Sequence, residues 1–181
     1  MSQLNVNTIG ARTGTTVTLA SGHTAVGFGA ITEYDQWQLV NSTSPNTNGD
    51  LSGTWTRFDH LGATYIGTGM SVSSGIFTFP STGLYAVKFQ AFIRFSGYAG
   101  GYAYIYSTND NGSTWDNIAS MEGQGQTNYD TANIYIEVIL DIQNTSNDKV
   151  RFRFYDEGNA TLVGSNDYAP TSVTFYKLGE T

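Results

Sequence analysis

Fifteen carboxylates against eight Lys and Arg make acid–base chemistry the first question this sequence raises. The densest sets are Glu33/Asp35 and Asp156/Glu157. Two carboxylates flanking a sugar bond are the minimum for glycoside hydrolysis, one to give a proton and one to act as base or nucleophile. Residues two apart on a strand share a face, so Glu33 and Asp35 would stand side by side. Both sets also border turns, where solvated carboxylates are ordinary. Acyl transfer fares worse. Of two histidines, His23 and His60, only His60 lies away from a linker, and there is no nucleophile elbow for a Ser-His-Asp arrangement. A hard cation such as Ca²⁺ wants several oxygens. Asp110, Asp130, Asp148 and Asp156 in or beside loops keep Ca²⁺ a candidate, although the loop from Ser107, STNDNGS, does not match an EF-hand loop.

Residues 106 to 115, YSTNDNGSTW, fit the pattern Ser/Thr-x-Asp-x-Gly-x-Thr-Trp through Thr108, Asp110, Gly112, Thr114 and Trp115. This resembles the Asp box, a hairpin motif repeated in sialidases and related propellers. The carboxylate of Asp110 is expected to accept backbone N–H groups, Gly112 to take φ > 0, and Trp115 to pack on the next strand. Sialidase chemistry also requires an arginine cluster. Here the motif occurs once, and Arg12, Arg57, Arg94, Arg151 and Arg153 are the only arginines. The motif therefore reads as a structural hairpin, and the chain as a non-enzyme.

The elements that would position these residues are strands. Aromatic residues make up 14% of the 181 and charged residues 13%, the latter about half the usual ~25%. With 21 glycines and three prolines, this suits short strands joined by tight turns. A net charge of −7 with no basic run gives no footprint for a phosphate backbone, so nucleic acid is not an expected partner. The absence of cysteine removes disulfides and thiolate metal sites and points toward a bacterial or viral source. MSQLNVNTIG has neither the basic start nor the apolar run of a secretion signal. No apolar stretch approaches the ~20 residues that span a bilayer, so membrane insertion is not expected.

Period-2 patterning dominates from His23 onward. Residues 83–95 put Tyr85, Val87, Phe89, Ala91, Ile93 and Phe95 on one face, and 133–143 do the same for Ile134, Ile136, Val138, Leu140 and Ile142. In 148–157, Val150, Phe152 and Phe154 alternate with Arg151 and Arg153, and 172–178 reads as a closing strand. Shorter candidates are AVGFGAIT, QWQLV, TWTRF, ATYIG, GIFTFP and YAYIYST, separated by turn chemistry such as STG, NDNGS and DEGN. The fold class is all-β, a jelly-roll sandwich of about ten antiparallel strands.

Several strands carry large side chains on both faces. Phe92, Tyr102, Tyr104, Tyr106, Tyr135, Ile139 and Tyr176 all lie opposite their core rows. A sandwich needs one apolar face per strand, so these seven are expected to build a subunit interface. Residues 1–22 differ from 23–181. They hold no aromatic or acidic residue, and their sparse apolar positions, Leu4, Val6, Ile9, Val17 and Leu19, bury too little to offset their ordering entropy alone. They read as an arm that orders against a partner, ahead of a head domain at 23–181.

The stretch from Phe58 to Ile93, with Gly75, Phe77, Pro80, Gly83 and Tyr85 in order, resembles the globular head of complement component one q and the tumour-necrosis-factor-like jelly rolls. Asp148, Lys149 and Val150 match the start of a later strand of that family, and Ser172, Phe175 and Leu178 its closing strand. The resemblance covers residues 27 to 178. It implies a ten-stranded protomer, a compact homotrimer and binding through exposed loops, with Ca²⁺ near the trimer apex in some relatives. Ser2–Ile9 followed by Gly14–Leu19 is similar to the starts of structural proteins of marine and cyanobacterial tailed phages. Together the two resemblances imply a trimeric virion surface protein, either a capsid decoration or head appendage or a short fibre. Its arm would dock on other virion proteins. Its loops could touch a host cell-surface glycan, with Trp37, Trp55 and Tyr129 as candidate contacts. The alternative is a stand-alone carbohydrate-binding module.

Overall fold

The computed structural model describes residues 31–43, 48–53 and 55–181. The arm, its residues Leu4, Val6, Ile9, Val17 and Leu19, the boundary near residue 22 and most of AVGFGAIT lie outside the described residues. The described chain falls in one compact unit, Ile31–Thr181.

Among the described residues twelve strands form two antiparallel sheets. The first sheet contains β1 (Tyr34–Leu39), β3 (Trp55–Arg57), β6 (Gly83–Ser96), β9 (Asn128–Ile142), β11 (Ala160–Leu162) and β12 (Ser172–Gly179). Its order is β3-β1-β12-β6-β9, and β11 continues the edge of β6 beyond β12 at Ile93–Phe95. The second sheet contains β2 (Asn48–Asp50), β4 (Ser71–Ser73), β5 (Ile76–Thr78), β7 (Ala99–Thr108), β8 (Asp116–Gly125) and β10 (Lys149–Asp156). It runs β4-β5-β10-β7-β8, with β2 on the β5 edge of β10. Among the described residues there is no α-helix, only a 3-10 turn at His60–Gly62.

The alternation in β6 places Tyr85, Val87, Phe89, Ala91, Ile93 and Phe95 inward, and all six are buried. Val150, Phe152 and Phe154 of β10 face them from the other sheet. Phe77 lies among the aromatic rings of both sheets, with ring centroids of Trp37, Trp55, Phe152 and Phe175 at 5.7, 5.7, 5.6 and 5.1 Å. Edge-to-face pairs of this kind add roughly 0.5–1.5 kcal/mol beyond the area they bury. Ile134, Ile136 and Ile142 of β9 are buried, while Val138 and Leu140 on the same row are only partly covered. The cause is position: among the described residues β9 pairs only with β6 and forms the rim of its sheet.

Two glycines of the resemblance motif are needed by the backbone. Gly75 (φ 78°) turns β4 into β5 with its α-carbon against Leu51 and Ser52. Gly83 (φ 132°) lies under Lys177 and the carbonyl of Gly179. A Cβ at either would strike backbone. Lys177 itself lies on the inward row of β12, buried, with Nζ 2.7 Å from Glu180 Oε1 and 3.3 Å from Ser81 Oγ. Its pairing removes the penalty of an uncompensated buried charge.

Strand directions define two ends. Tyr34 at the start of β1, the β7–β8 hairpin and the β9–β10 turn share one end. The β6–β7, β8–β9 and β10–β11 turns share the other.

Candidate functional site

The carboxylates singled out for chemistry hold loops together. Asp35, 1% exposed, accepts from Arg57 Nε (2.9 Å), Arg57 Nη2 (3.0 Å), Trp37 Nε1 (2.9 Å) and the Met70 amide (2.7 Å). Glu33 accepts from the amides of Thr68 (3.2 Å) and Gly69 (2.9 Å). This pair of acids ties the loop before β4 to β1. A carboxylate facing so many donors has no lone pair directed at a substrate proton. Asp156 accepts from the amides of Gly158 (2.7 Å) and Ala160 (3.0 Å) and so closes the β10–β11 turn. His60 is exposed in the 3-10 turn, and His23 lies outside the described residues.

The Asp box closes as its residue types require. Asp110 accepts from Thr108 Oγ1 (2.6 Å), Thr114 N (3.0 Å) and Thr114 Oγ1 (2.7 Å), and Gly112 takes φ 87° while donating to Thr108 Oγ1 at 3.1 Å. These donors hold the Asp110 carboxyl down at about 2. Trp115 lies against β10, its ring 4.2 Å from the guanidinium of Arg151. The other calcium candidates occupy separate turns. Asp148 takes the amides of Gln143 and Asn144, both at 2.7 Å. Asp130 takes those of Gln126 (2.8 Å) and Thr127 (2.9 Å), which lower its pKa. Among the described residues no three metal-ligating side chains converge.

The candidate glycan contacts divide. Trp37 and Trp55 are core residues, stacked edge-on against Phe77, with Trp55 Nε1 bound to the Leu51 carbonyl at 2.8 Å. Neither ring is left for a sugar, because the inward row of β1 and the start of β3 fill the centre of the sandwich. Sequence alone could not tell an inward from an outward tryptophan on strands this short. Tyr129 is 87% exposed, held at φ 73°, and borders an open hollow of 380 Å³ with Arg94, Asn128 and Thr161.

The seven interface candidates belong to two surfaces. Phe92, Tyr135, Ile139 and Tyr176 stand on the outward face of the β6-containing sheet. Tyr135 and Ile139 are 50% and 63% exposed, and Tyr176 donates to Glu137 at 2.8 Å. Tyr102, Tyr104 and Tyr106 stand on the outward face of the opposite sheet. Their rings follow one another at 6.3 and 6.1 Å, and Tyr155 joins the row 5.8 Å from Tyr102. The Tyr102 hydroxyl donates to Glu157 at 3.2 Å. Its partial desolvation and the acids Glu122 and Glu157 push that phenol up to about 12.

Sequence reasoning placed Arg151 and Arg153 on one strand face but passed over Tyr155 and Lys149 beside them. The signal was present: Lys149, Arg151 and Arg153 fall on alternate residues of β10, hence on one face.

No protein-family model matches the chain, and no curated protein is similar to it in sequence. Solved structures are similar in fold. The Eiger TNF of S. frugiperda has 11% identity and a TM-score of 0.60, over 84% of this chain and 96% of that one. Murine APRIL at pH 5.0 has 14% identity and a TM-score of 0.58, over 81% and 98%. The same protein at pH 8.5 has 14% identity and a TM-score of 0.55, over 81% and 98%. The fold is a TNF-like jelly roll.

Proposed function

We propose that this chain is a non-enzymatic, homotrimeric surface protein of a tailed-phage virion, a capsid decoration, head appendage or short fibre. Residues 1–22 would anchor it to other virion proteins, and the jelly roll would be displayed. The observation that carries the trimer is the apolar outward face of the β6 sheet, where Ile139 and Tyr135 stand uncovered on a regular strand. Such exposure on a strand, unlike on a loop tip, marks a surface made to be covered.

Geometry selects among the seven interface candidates. In a closed three-fold ring the two patches each subunit offers its neighbours point about 60° apart. Opposite faces of a sandwich point in opposing directions and would build an open stack. The ring is therefore assigned to the Phe92, Tyr135, Ile139 and Tyr176 face and the adjoining β8–β9 rim. There Ile118 and Met121 are exposed and Val138 and Leu140 half-covered. Tyr102, Tyr104 and Tyr106 stay outside it.

The virion reading is supported by the phage-like leader of residues 1–19, and the non-enzymatic reading by carboxylates already engaged with backbone amides. Light scattering at several concentrations tests the trimer, which requires a stable mass of three times 19.6 kDa. Deleting residues 1–22 tests the anchor: trimers should persist while attachment to particles is lost. The tyrosine row supports a second reading, a stand-alone carbohydrate-binding module, which requires a monomer that binds glycan.

A further inference from the structure

The net charge is −7, yet three of the eight Lys and Arg stand in one row on the outward side of β10. Arg151 is engaged, 2.9 Å from Asp50 and stacked on Trp115. Lys149 reaches Thr78 at 3.4 Å. Arg153, opposite Tyr104 on β7 and Asp50 on β2 in register, is half-buried; Asp50 is engaged by Arg151, and no carboxylate among the described residues lies within ion-pair distance of Arg153. A half-buried guanidinium whose cross-strand carboxylate is engaged by another arginine has N–H groups left for an oxyanion, which it binds best with two parallel N–H···O bonds.

Around it stand four tyrosine rings, inclined to one another by 64°, 22° and 50° from Tyr155 through Tyr102 and Tyr104 to Tyr106. Tyr102, Tyr104 and Tyr106 follow along β7 at steps of 6.3 and 6.1 Å, and Tyr155 stands across from Tyr102 on β10 at 5.8 Å, spacings on the scale of a sugar ring. Each offers an apolar ring and a polar tip. At the far end Glu122 and Glu157 lie beside the Tyr102 hydroxyl, where they can accept from neutral hydroxyls but would repel an anion. Cation in the middle, rings along the line and acids at one end match a polymer with flat apolar faces, many hydroxyls and spaced carboxylates. Nucleic acid matches poorly, because the carboxylates at the Tyr102 end oppose a continuous phosphate backbone.

We propose that the outward face of the β10-containing sheet binds a uronate-bearing polysaccharide, its sugar rings lying along Tyr155, Tyr102, Tyr104 and Tyr106 and one sugar carboxylate paired with Arg153. This deepens the proposed function, and rests on it only in that the trimer leaves this face open.

The test is electrophoresis of the full chain through gels containing polygalacturonate with about half of its carboxylates methyl-esterified, so that the free ones are spaced, and with the full methyl ester (the same backbone without the charge) as comparison. Light scattering on the same samples reports the mass. The half-esterified polymer should retard the protein, less so as salt rises, and the full ester should retard it little. Arg153→Gln, which keeps a polar side chain at the site, should weaken retention about tenfold or more. Tyr104→Ala should weaken it as well, both variants keeping the wild-type mass. No retention, equal retention by the full ester, or wild-type retention by Arg153→Gln overturns the proposal. So does assembly beyond three chains that Tyr104→Ala abolishes, which would assign the face to a second copy. A trimer that ignores the polymer refutes this inference alone. A monomer that binds it refutes the trimer alone.

Discussion

Asp35 and Arg57, on neighbouring strands β1 and β3, form a two-point ion pair at 2.9 and 3.0 Å. The guanidinium lies between Trp37 (4.8 Å) and Tyr65 (4.2 Å) and also donates to the Met70 carbonyl at 2.8 Å. The pair links the edge of one sheet to the loop leading into the other, through an aspartate that read in the sequence as an acid–base candidate and an arginine that had no assigned role.

Asp35→Ala should therefore destabilise the protein by ~3–5 kcal/mol, because it strands a partly buried cation together with the Met70 and Trp37 N–H groups. Urea denaturation of the isolated variant measures this. Asp35→Asn should recover part of the loss, since it still accepts one bond but carries no charge. A loss below ~1 kcal/mol for Asp35→Ala would show that the pair is solvated in solution.

Phe77→Ala should cost ~3–5 kcal/mol. The ring is fully buried and has four aromatic neighbours drawn from both sheets. Collapse of such a site is resisted because the neighbouring rings are fixed by their own strands. The readout is the shift of the urea midpoint at unchanged slope.

The long strands were legible because they alternate over enough residues to identify a face. Tyr85 to Phe95 and Val150 to Phe154 lie as their period requires. Strand β8, DNIASMEGQG, gave no such signal. It is a sheet edge whose register comes from β7, and its inward positions Gly123 and Gly125 are small because Ala132 and Phe95 press against them. ATYIG read as a strand but contributes only a bridge between Ile66 and Tyr34. Leu178, matched to the closing strand of the jelly-roll family, is exposed, next to the register shift between Lys177 and Gly179. At the candidate sites the alternation gave each residue a side of its own strand. It could not say which sheet the strand joined, so Tyr104 and Tyr135 read as one surface and lie on two.

Acid should weaken the β7–β8 hairpin. Asp110 sits at about 2 in the folded chain against an ordinary 3.8. A depressed folded pKa contributes stability that is complete above 3.8 and is lost as pH falls through about 2. Asp130, also lowered, adds in the same direction. Asp110→Asn removes the first contribution alone. The Tm difference between wild type and this variant should be largest at pH 5 and narrow toward pH 2. A difference that does not change with pH would mean that the hydrogen bonds matter and the charge does not.

The proposed trimer face yields the sharpest mutational prediction. Ile139 and Tyr135 point away from the core, so Ile139→Arg should change the stability of an isolated subunit by no more than about 0.5 kcal/mol. In a ring built on this face, the same arginine would be buried three times without a partner, and each buried unpaired charge is strongly unfavourable. The mass by light scattering should fall from three chains to one while the near-ultraviolet circular dichroism of the core aromatics is unchanged. Tyr104→Ala on the opposite sheet serves as the control and should leave three chains. If Ile139→Arg keeps the trimer and Tyr104→Ala breaks it, the assignment of the two faces is reversed. The tyrosine row would then be the interface, and the polysaccharide surface would be lost with it.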